Sequence, residues 1–163
     1  MDKLIDIQLP TYWTLWSHTI DNKDWSIESH SKITIIDTVS KFWRLFNNFH
    51  KLNYRSYNFY LMKENITPIW EDLKNKNGGI CSFKIEISNF QQLWEDVGIY
   101  TLSKNLVDIE HANEITGISI SHKNNWMVIK IWNNKPTNIA NLFSKEFRDK
   151  CDKFSTKYVT HQK

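Results

Sequence analysis

Six stretches of this chain alternate apolar and polar side chains residue by residue, and that alternation limits the fold more than any other feature. The clearest is Cys81-Ser82-Phe83-Lys84-Ile85-Glu86-Ile87, which puts Cys81, Phe83, Ile85 and Ile87 on one face and Ser82, Lys84 and Glu86 on the other. Successive side chains of a strand point to opposite faces, so such a segment is a strand with one side covered and one side wet. Residues 12–16, 32–36, 57–62, 118–121 and 126–132 carry related patterns rich in aromatic and branched residues. One-sided strands of this kind predict an antiparallel sheet.

Three segments break to helical spacing. Thr38 can cap a helix bearing Phe42, Leu45, Phe46 and Phe49, and Ser88 with Gln91 has capping-box spacing ahead of Phe90, Leu93, Trp94 and Val97. After Pro136, Thr137 can cap a third helix carrying Ile139, Leu142, Phe143 and Phe147 and running on to Cys151. Helices that interrupt antiparallel strands pack on one face of the sheet, which leaves the other, concave face free. The fold class is therefore α+β. At 163 residues the chain suits a single domain over 1–163, burying roughly 70% of its unfolded surface, with residues 1–9 read as a flexible tail. Asn77-Gly78-Gly79 and His122-Lys123-Asn124-Asn125 mark turns, the second at the tip of a hairpin.

Charge and cysteine usage remove several function classes. A formal net charge of +3 is too small for a broad grip on duplex nucleic acid; a small anionic ligand or a few phosphates fits better. Cys81 and Cys151 are too few and too far apart for a disulfide scaffold or a cysteine-based zinc site, and are expected to be reduced, as in a cytosolic protein. No stretch approaches the ~20 apolar residues of a membrane span, and acids near the amino terminus oppose a signal peptide. Usage leans to Asn, Lys and Ile, as an AT-rich genome, cellular or viral, would give.

The eight tryptophans call for a very large aromatic core or a stacking function. Trp13, Trp16 and Trp94 sit in apolar periodicity and are read as core. Trp25 and Trp70 have neither strand nor helix pattern around them and are placed on the surface. Beside Trp70 stands Glu71, and an aromatic face next to a carboxylate can hold a cationic planar heterocycle with protons on one edge.

Taken in order, Tyr12-Trp13-Thr14-Leu15-Trp16, Trp25, Asp37-Thr38-Val39-Ser40-Lys41-Phe42-Trp43, Ile69-Trp70-Glu71-Asp72 with Gly78-Gly79, and Ile129-Lys130-Ile131-Trp132 resemble translation initiation factor 4E, the mRNA cap-binding family. The likeness runs from about Pro10 to Tyr158. It implies a curved antiparallel β-sheet with three long α-helices on the convex face and the cap on the concave face. Mapped onto this chain, it implies that Trp25 and Trp70 sandwich 7-methylguanine, that Glu71 accepts the imino and amino protons of the base edge, and that Trp132 lies against the 7-methyl group. Val39, Trp43 and Ile99 would form the dorsal surface for a scaffold factor 4G-like protein, or for a binding protein with a Tyr-x-x-x-x-Leu-hydrophobic helix. The expected protein is a cytoplasmic, non-enzymatic binder of capped mRNA, monomeric outside its complex, with no cofactor, metal or membrane partner.

The chemistry of those residues points the same way. A desolvated cation–π contact is worth ~2 kcal/mol and base stacking ~1–3 kcal/mol, against about 0.8 kcal/mol for burying a methyl group. Charge therefore sets the discrimination against unmethylated base. Hydrogen bonds to Glu71 add ~1.5–3 kcal/mol each.

At the phosphates the chain departs from the pattern. Lys123 stands where the family has a basic residue at the end of the hairpin strand, but Val128 and Ile80 occupy two further basic positions. Lys130 faces the same way as Trp132 and is the candidate replacement, with His122 a weaker one; Lys157 and Lys163 stand where the family's carboxy-terminal loop would begin. Asp72 is read as an exposed loop acid, and Glu95 replaces an apolar dorsal contact. Four alternatives follow from the same residues: a cap-sequestering regulator that does not engage the scaffold, a homologue specific for a modified cap, a nucleotide-acting enzyme using Glu71, Asp72 and a histidine, and a methyl-lysine cage.

Overall fold

In the computed structural model, which describes residues 6–162, ten main elements follow in chain order. They are β1 (Gln8–Thr19), β2 (Ser31–Thr38), α1 (Val39–Asn47), β3 (Tyr57–Lys63), β4 (Gly79–Glu86), α2 (Phe90–Leu102), β5 (Ile115–Lys123), β6 (Trp126–Asn133), α3 (Lys145–Cys151) and β7 (Thr156–Thr160). The strands form one curved antiparallel sheet in the order β2-β1-β3-β5-β6-β4-β7. All six expected strands are present. The seventh, β7, was not anticipated: it is a five-residue edge strand whose side chains are mostly exposed, so it carries no alternation to read.

Alternation divides the sheet as the sequence requires. Cys81, Phe83 and Ile85 of β4 join Ile118, Ile120, Ile129 and Ile131 in the main core, into which the helices insert Phe42, Phe90, Leu93, Trp94 and Phe147. On the opposite face a smaller cluster of Trp16, Tyr60, Met62, Ile66 and Trp132 is buried, with Ile27 of a short 3-10 turn and Ile80 packed against it. Burial pushes the Cys81 thiol up to about 12 and that of Cys151 up to about 11, and both cysteines are free.

The helices begin and end for identifiable reasons. Thr38 caps α1, its hydroxyl accepting from the Lys41 N–H at 3.2 Å. The residue capping α2 is Asn89 rather than Ser88, and its side chain makes no capping bond. Instead of one helix from Thr137 to Cys151, a 3-10 turn at Ile139–Leu142, capped by Asn138, is followed by a break at Phe143 and then α3, capped by Ser144. Two caps within seven residues explain the split, because each starts a new set of helical bonds. Only α2, at 13 residues, is longer than ten. α1 packs closely on α2 because a Cβ on Gly98 would stand 2.4 Å from the Phe46 ring.

The tail expected over 1–9 lies outside the described residues through residue 5. Beyond it, Asp6 accepts hydrogen bonds from the Ser40 hydroxyl and N–H at 2.6 and 3.2 Å, and β1 has begun by Gln8. Among the described residues no helix is long and apolar enough to cross a membrane.

Candidate ligand-binding site

On the face without α-helices, a cavity of about 390 Å³ opens between two loops, near the small end of the range for small-molecule sites, ~300–1,000 Å³. Its rim holds Trp25 and Trp70, and its floor holds Asn58, Tyr60, Ser119, Ser121, Lys130 and Trp132. The two rim indoles are 52% and 49% exposed, whereas Trp132 on the floor is 5% exposed. Two half-exposed tryptophans from separate loops lining one cavity offer a flat ring aromatic surface to stack on.

Local chemistry turns each rim indole outward. In the β1–β2 loop, Asn22 accepts from the Asp24 N–H and Asp24 from the Ser26 N–H, both at 2.9 Å, two successive turns that leave Trp25 nothing to bury against on its outer face. The hydroxyl and N–H of Ser26 hold the Asp24 carboxyl below the usual carboxylate range. Behind Trp25 the His18 ring is stacked at 4.3 Å.

The β3–β4 loop is organised by two side chains that sequence reasoning did not assign to this work. Asp72, expected to be a solvated acid, is half-buried and accepts from the Thr67 N–H and hydroxyl at 2.9 and 2.6 Å and from the Lys74 N–H at 2.8 Å. Burial raises its pKa, but these hydrogen bonds outweigh burial and hold the carboxyl below its ordinary value. Asn75, fully buried, donates to the carbonyls of Thr67 and Ile69 at 3.0 and 2.9 Å, just before Trp70. The loop's end is pinned by Gly78, where a Cβ would lie 1.8 Å from the Asn133 carbonyl oxygen. Its paired glycines serve close packing of backbone rather than a phosphate cradle.

Glu71 is exposed beside Trp70, and its charge raises the pKa of both His30 and His161, which line the cavity. Burial is the larger effect on both rings and holds them below the ordinary histidine range. Trp132 donates its indole N–H to the Ser119 hydroxyl at 3.1 Å and has Tyr60 edge-on at 6.1 Å. Burial pushes the Tyr60 phenol up to about 12.

The basic candidates separate. Lys130 lines the cavity, and burial first, then the charge of Lys123, lowers its pKa; among the described residues no carboxylate pairs with it. Lys123 is on the same face, opposite Trp126 at the hairpin tip, exposed and outside the cavity lining. His122 is a correction: it pairs in register with Met127, a core residue, so it sits on the helix-covered side of the sheet, away from the cavity. Lys157 faces the open side next to Ser82 on β7, and Lys163 lies outside the described residues.

On the helix side, Val39 and Ile99 are half-buried and Trp43 is 37% exposed. Between α1 and α2 a groove is lined by Phe46, Phe49, Gln91, Gln92, Trp94 and Glu95.

The Eukaryotic initiation factor 4E family model matches residues 8–163. Eukaryotic translation initiation factor 4E1 of Drosophila melanogaster is 33% identical over 131 residues, covering 76% of this chain and 49% of the fly protein. Factor 4E-3 of Caenorhabditis elegans is 28% identical over 138 residues, covering 79% of this chain and 54% of the relative. The chain thus spans about half the length of these relatives. Among solved structures, Caenorhabditis elegans eIF4E-3 in complex with the 4E-binding protein Mextli and a cap analog superposes with a TM-score of 0.80 at 21% identity, covering 97% of this chain and 94% of the other. Ascaris suum eIF4E-3 with an m2,2,7G cap gives 0.77 at 21% identity, with 97% and 93% covered. These structural likenesses show that the fold is shared.

Proposed function

Because the chain belongs to the eukaryotic initiation factor 4E family, we propose that it binds the 7-methylguanosine cap of mRNA between Trp25 and Trp70 and delivers it to translation initiation through a scaffold protein. One observation carries this reading: two half-exposed indoles from separate loops border a single cavity, with a carboxylate beside one of them. The relatives solved with cap analog, m7G cap and a 4E-binding protein support it.

Each role follows from charge and shape. Methylation at position 7 leaves the guanine cationic, so both indole faces gain a cation–π attraction of ~2 kcal/mol when desolvated, which neutral guanine lacks. Glu71 accepts the protons of the base edge and adds a complementary charge. Trp132, its ring fixed by Ser119, closes the floor against the methyl group. Lys130, a half-buried cation without a carboxylate partner among the described residues, takes the phosphates, with Lys123 and Lys157 further out on the same face. Val39, Trp43 and Ile99 receive the partner's helix. The protein works as a cytoplasmic binder without catalysis, one cap-binding domain in which no cofactor takes part.

Titration with 7-methyl-GTP and with GTP, followed by tryptophan fluorescence, tests the reading. Strong quenching by the methylated nucleotide alone is expected; equal affinity for both removes the cation–π basis.

One observation favours a second reading. Glu95, Gln91 and Gln92 make part of the α1–α2 groove polar, which suits a cap sequesterer that holds mRNA without engaging the scaffold. Retention of a Tyr-x-x-x-x-Leu-hydrophobic peptide by the immobilised protein decides against it.

A further inference from the structure

Two buried histidines stand beside Trp25: His18, outside the cavity lining, and His30, which is part of it. His18, on β1, is 1% exposed and stacks against Trp25 with ring planes 18° apart. His30, 8% exposed, packs against His18 with centroids 4.6 Å apart and meets Tyr60 edge-on at 5.5 Å. Each ring also grips the main chain beside Trp25. His18 Nε2 lies 2.7 Å from the Asp24 carbonyl oxygen, and His30 Nδ1 lies 2.8 Å from that of Ser26.

A carbonyl only accepts, so both of those nitrogens carry hydrogen, which assigns the tautomers. In the neutral rings His18 Nδ1 and His30 Nε2 are then bare lone pairs. The first faces the Asn58 amide at 3.5 Å; the second is buried and, among the described residues, has no partner. The two carbonyls belong to the residues immediately before and after Trp25. The indole is therefore held at both flanks and backed by an aromatic ring, all through two ionisable side chains.

We propose that His18 and His30 are positioning residues of the cap site, which together orient the Trp25 indole, and that a proton taken up by the pair weakens ligand binding. This rests on the reading of the cavity as a site for a cationic planar base. An imidazolium on the inner face of the indole draws on the same π density that attracts the ligand from the outer face, and it sets like charge behind the ring. A second protonation is opposed further, since the rings are 4.6 Å apart.

The charged and titratable groups facing the pair are Asp24 from the β1–β2 loop, Glu71 from the β3–β4 loop and the Tyr60 hydroxyl from β3. Burial and the proximity of His18 oppose a charge on His30, while the Ser26 carbonyl, Asp24 and Glu71 favour it; burial is the largest effect and holds the ring below the ordinary histidine range. Linkage fixes the sign. The positive base bound nearby makes the buried His30 ring harder to protonate, so a proton taken up there must weaken the hold on that base.

The test uses the full chain and 7-methyl-GTP, with affinity read from tryptophan quenching between about pH 8 and pH 5, the span in which histidine titrates. The wild type is compared at each pH with His18→Phe, His30→Phe and the double variant, so that titration of the ligand itself cancels in the ratio. On lowering the pH, the wild type should lose roughly tenfold more affinity than the double variant, the equivalent of one pKa unit of coupling. A ratio that stays flat with pH while the wild type binds overturns the inference and leaves the cap reading intact. Failure of the wild type to bind removes both. If thermal melts show that the Phe variants do not fold, His18→Gln and His30→Gln, which keep an N–H for the carbonyls but take no proton in this range, give the same comparison.

Discussion

Asp72 accepts two hydrogen bonds from Thr67, one from the N–H at 2.9 Å and one from the hydroxyl at 2.6 Å, and so closes the loop that presents Trp70 and Glu71. The clasp spans five residues and shapes the cavity rim from outside it.

Asp72→Asn is therefore expected to lower both stability and affinity for 7-methyl-GTP without touching the ligand, at a stability cost of ~1.5 kcal/mol, the low end for hydrogen bonds to a charged group. The carboxyl's folded pKa is lowered, so its stabilisation is present above the unfolded carboxylate value and is lost as pH falls through the lower folded value. Urea denaturation should show a clear difference between wild type and variant at pH 7 and a smaller one near ~pH 3, below the usual carboxylate range.

Lys130 and Lys123 should separate in their dependence on phosphate. Lys130→Met is expected to reduce affinity for 7-methyl-GTP by tenfold or more, in line with ~1.5–3 kcal/mol for a charge-assisted contact, and to leave the 7-methylguanosine nucleoside nearly unaffected. Lys123→Ala, outside the cavity lining, should cost much less and only at low salt. Calorimetric titrations of both ligands at two salt concentrations check this.

Ser119→Ala leaves the buried Trp132 indole N–H without its acceptor. An unpaired buried donor costs ~1–3 kcal/mol, so the melting temperature should fall by several degrees and selectivity for methylated over unmethylated base should narrow.

Trp43→Ala should preserve the fold and 7-methyl-GTP binding, because the side chain is the most exposed tryptophan on the helix side. Binding of a Tyr-x-x-x-x-Leu-hydrophobic peptide should weaken by ~2 kcal/mol or more, as for an interface aromatic anchor, measured by fluorescence anisotropy.

Much of this architecture is legible in the chain because strand alternation is a local property. The pattern at 81–87 needs no partner to be read, and the same rule places Lys130 with Trp132 on the open face. Exposure of Trp25 and Trp70 was also readable, since polar turn residues surround both. What escaped reading depends on closure of loops. Asp72 and Asn75 bind main-chain groups whose proximity exists only after the loop folds, and His18 meets Trp25 only when a seven-residue separation is folded back. His122 departs from expectation for a different reason: in a strand one step of sequence changes the face, so it points away from the face that carries its neighbour Lys123. The broken third helix reflects two competing caps, Asn138 and Ser144, where periodicity alone suggested one run.

A crystal structure of the chain with 7-methyl-GTP tests the central claim most directly. The base should lie between the Trp25 and Trp70 rings with its amino and imino protons on Glu71 and its phosphates toward Lys130. A base bound outside that cavity, or stacked on only one of the two indoles, would contradict the account.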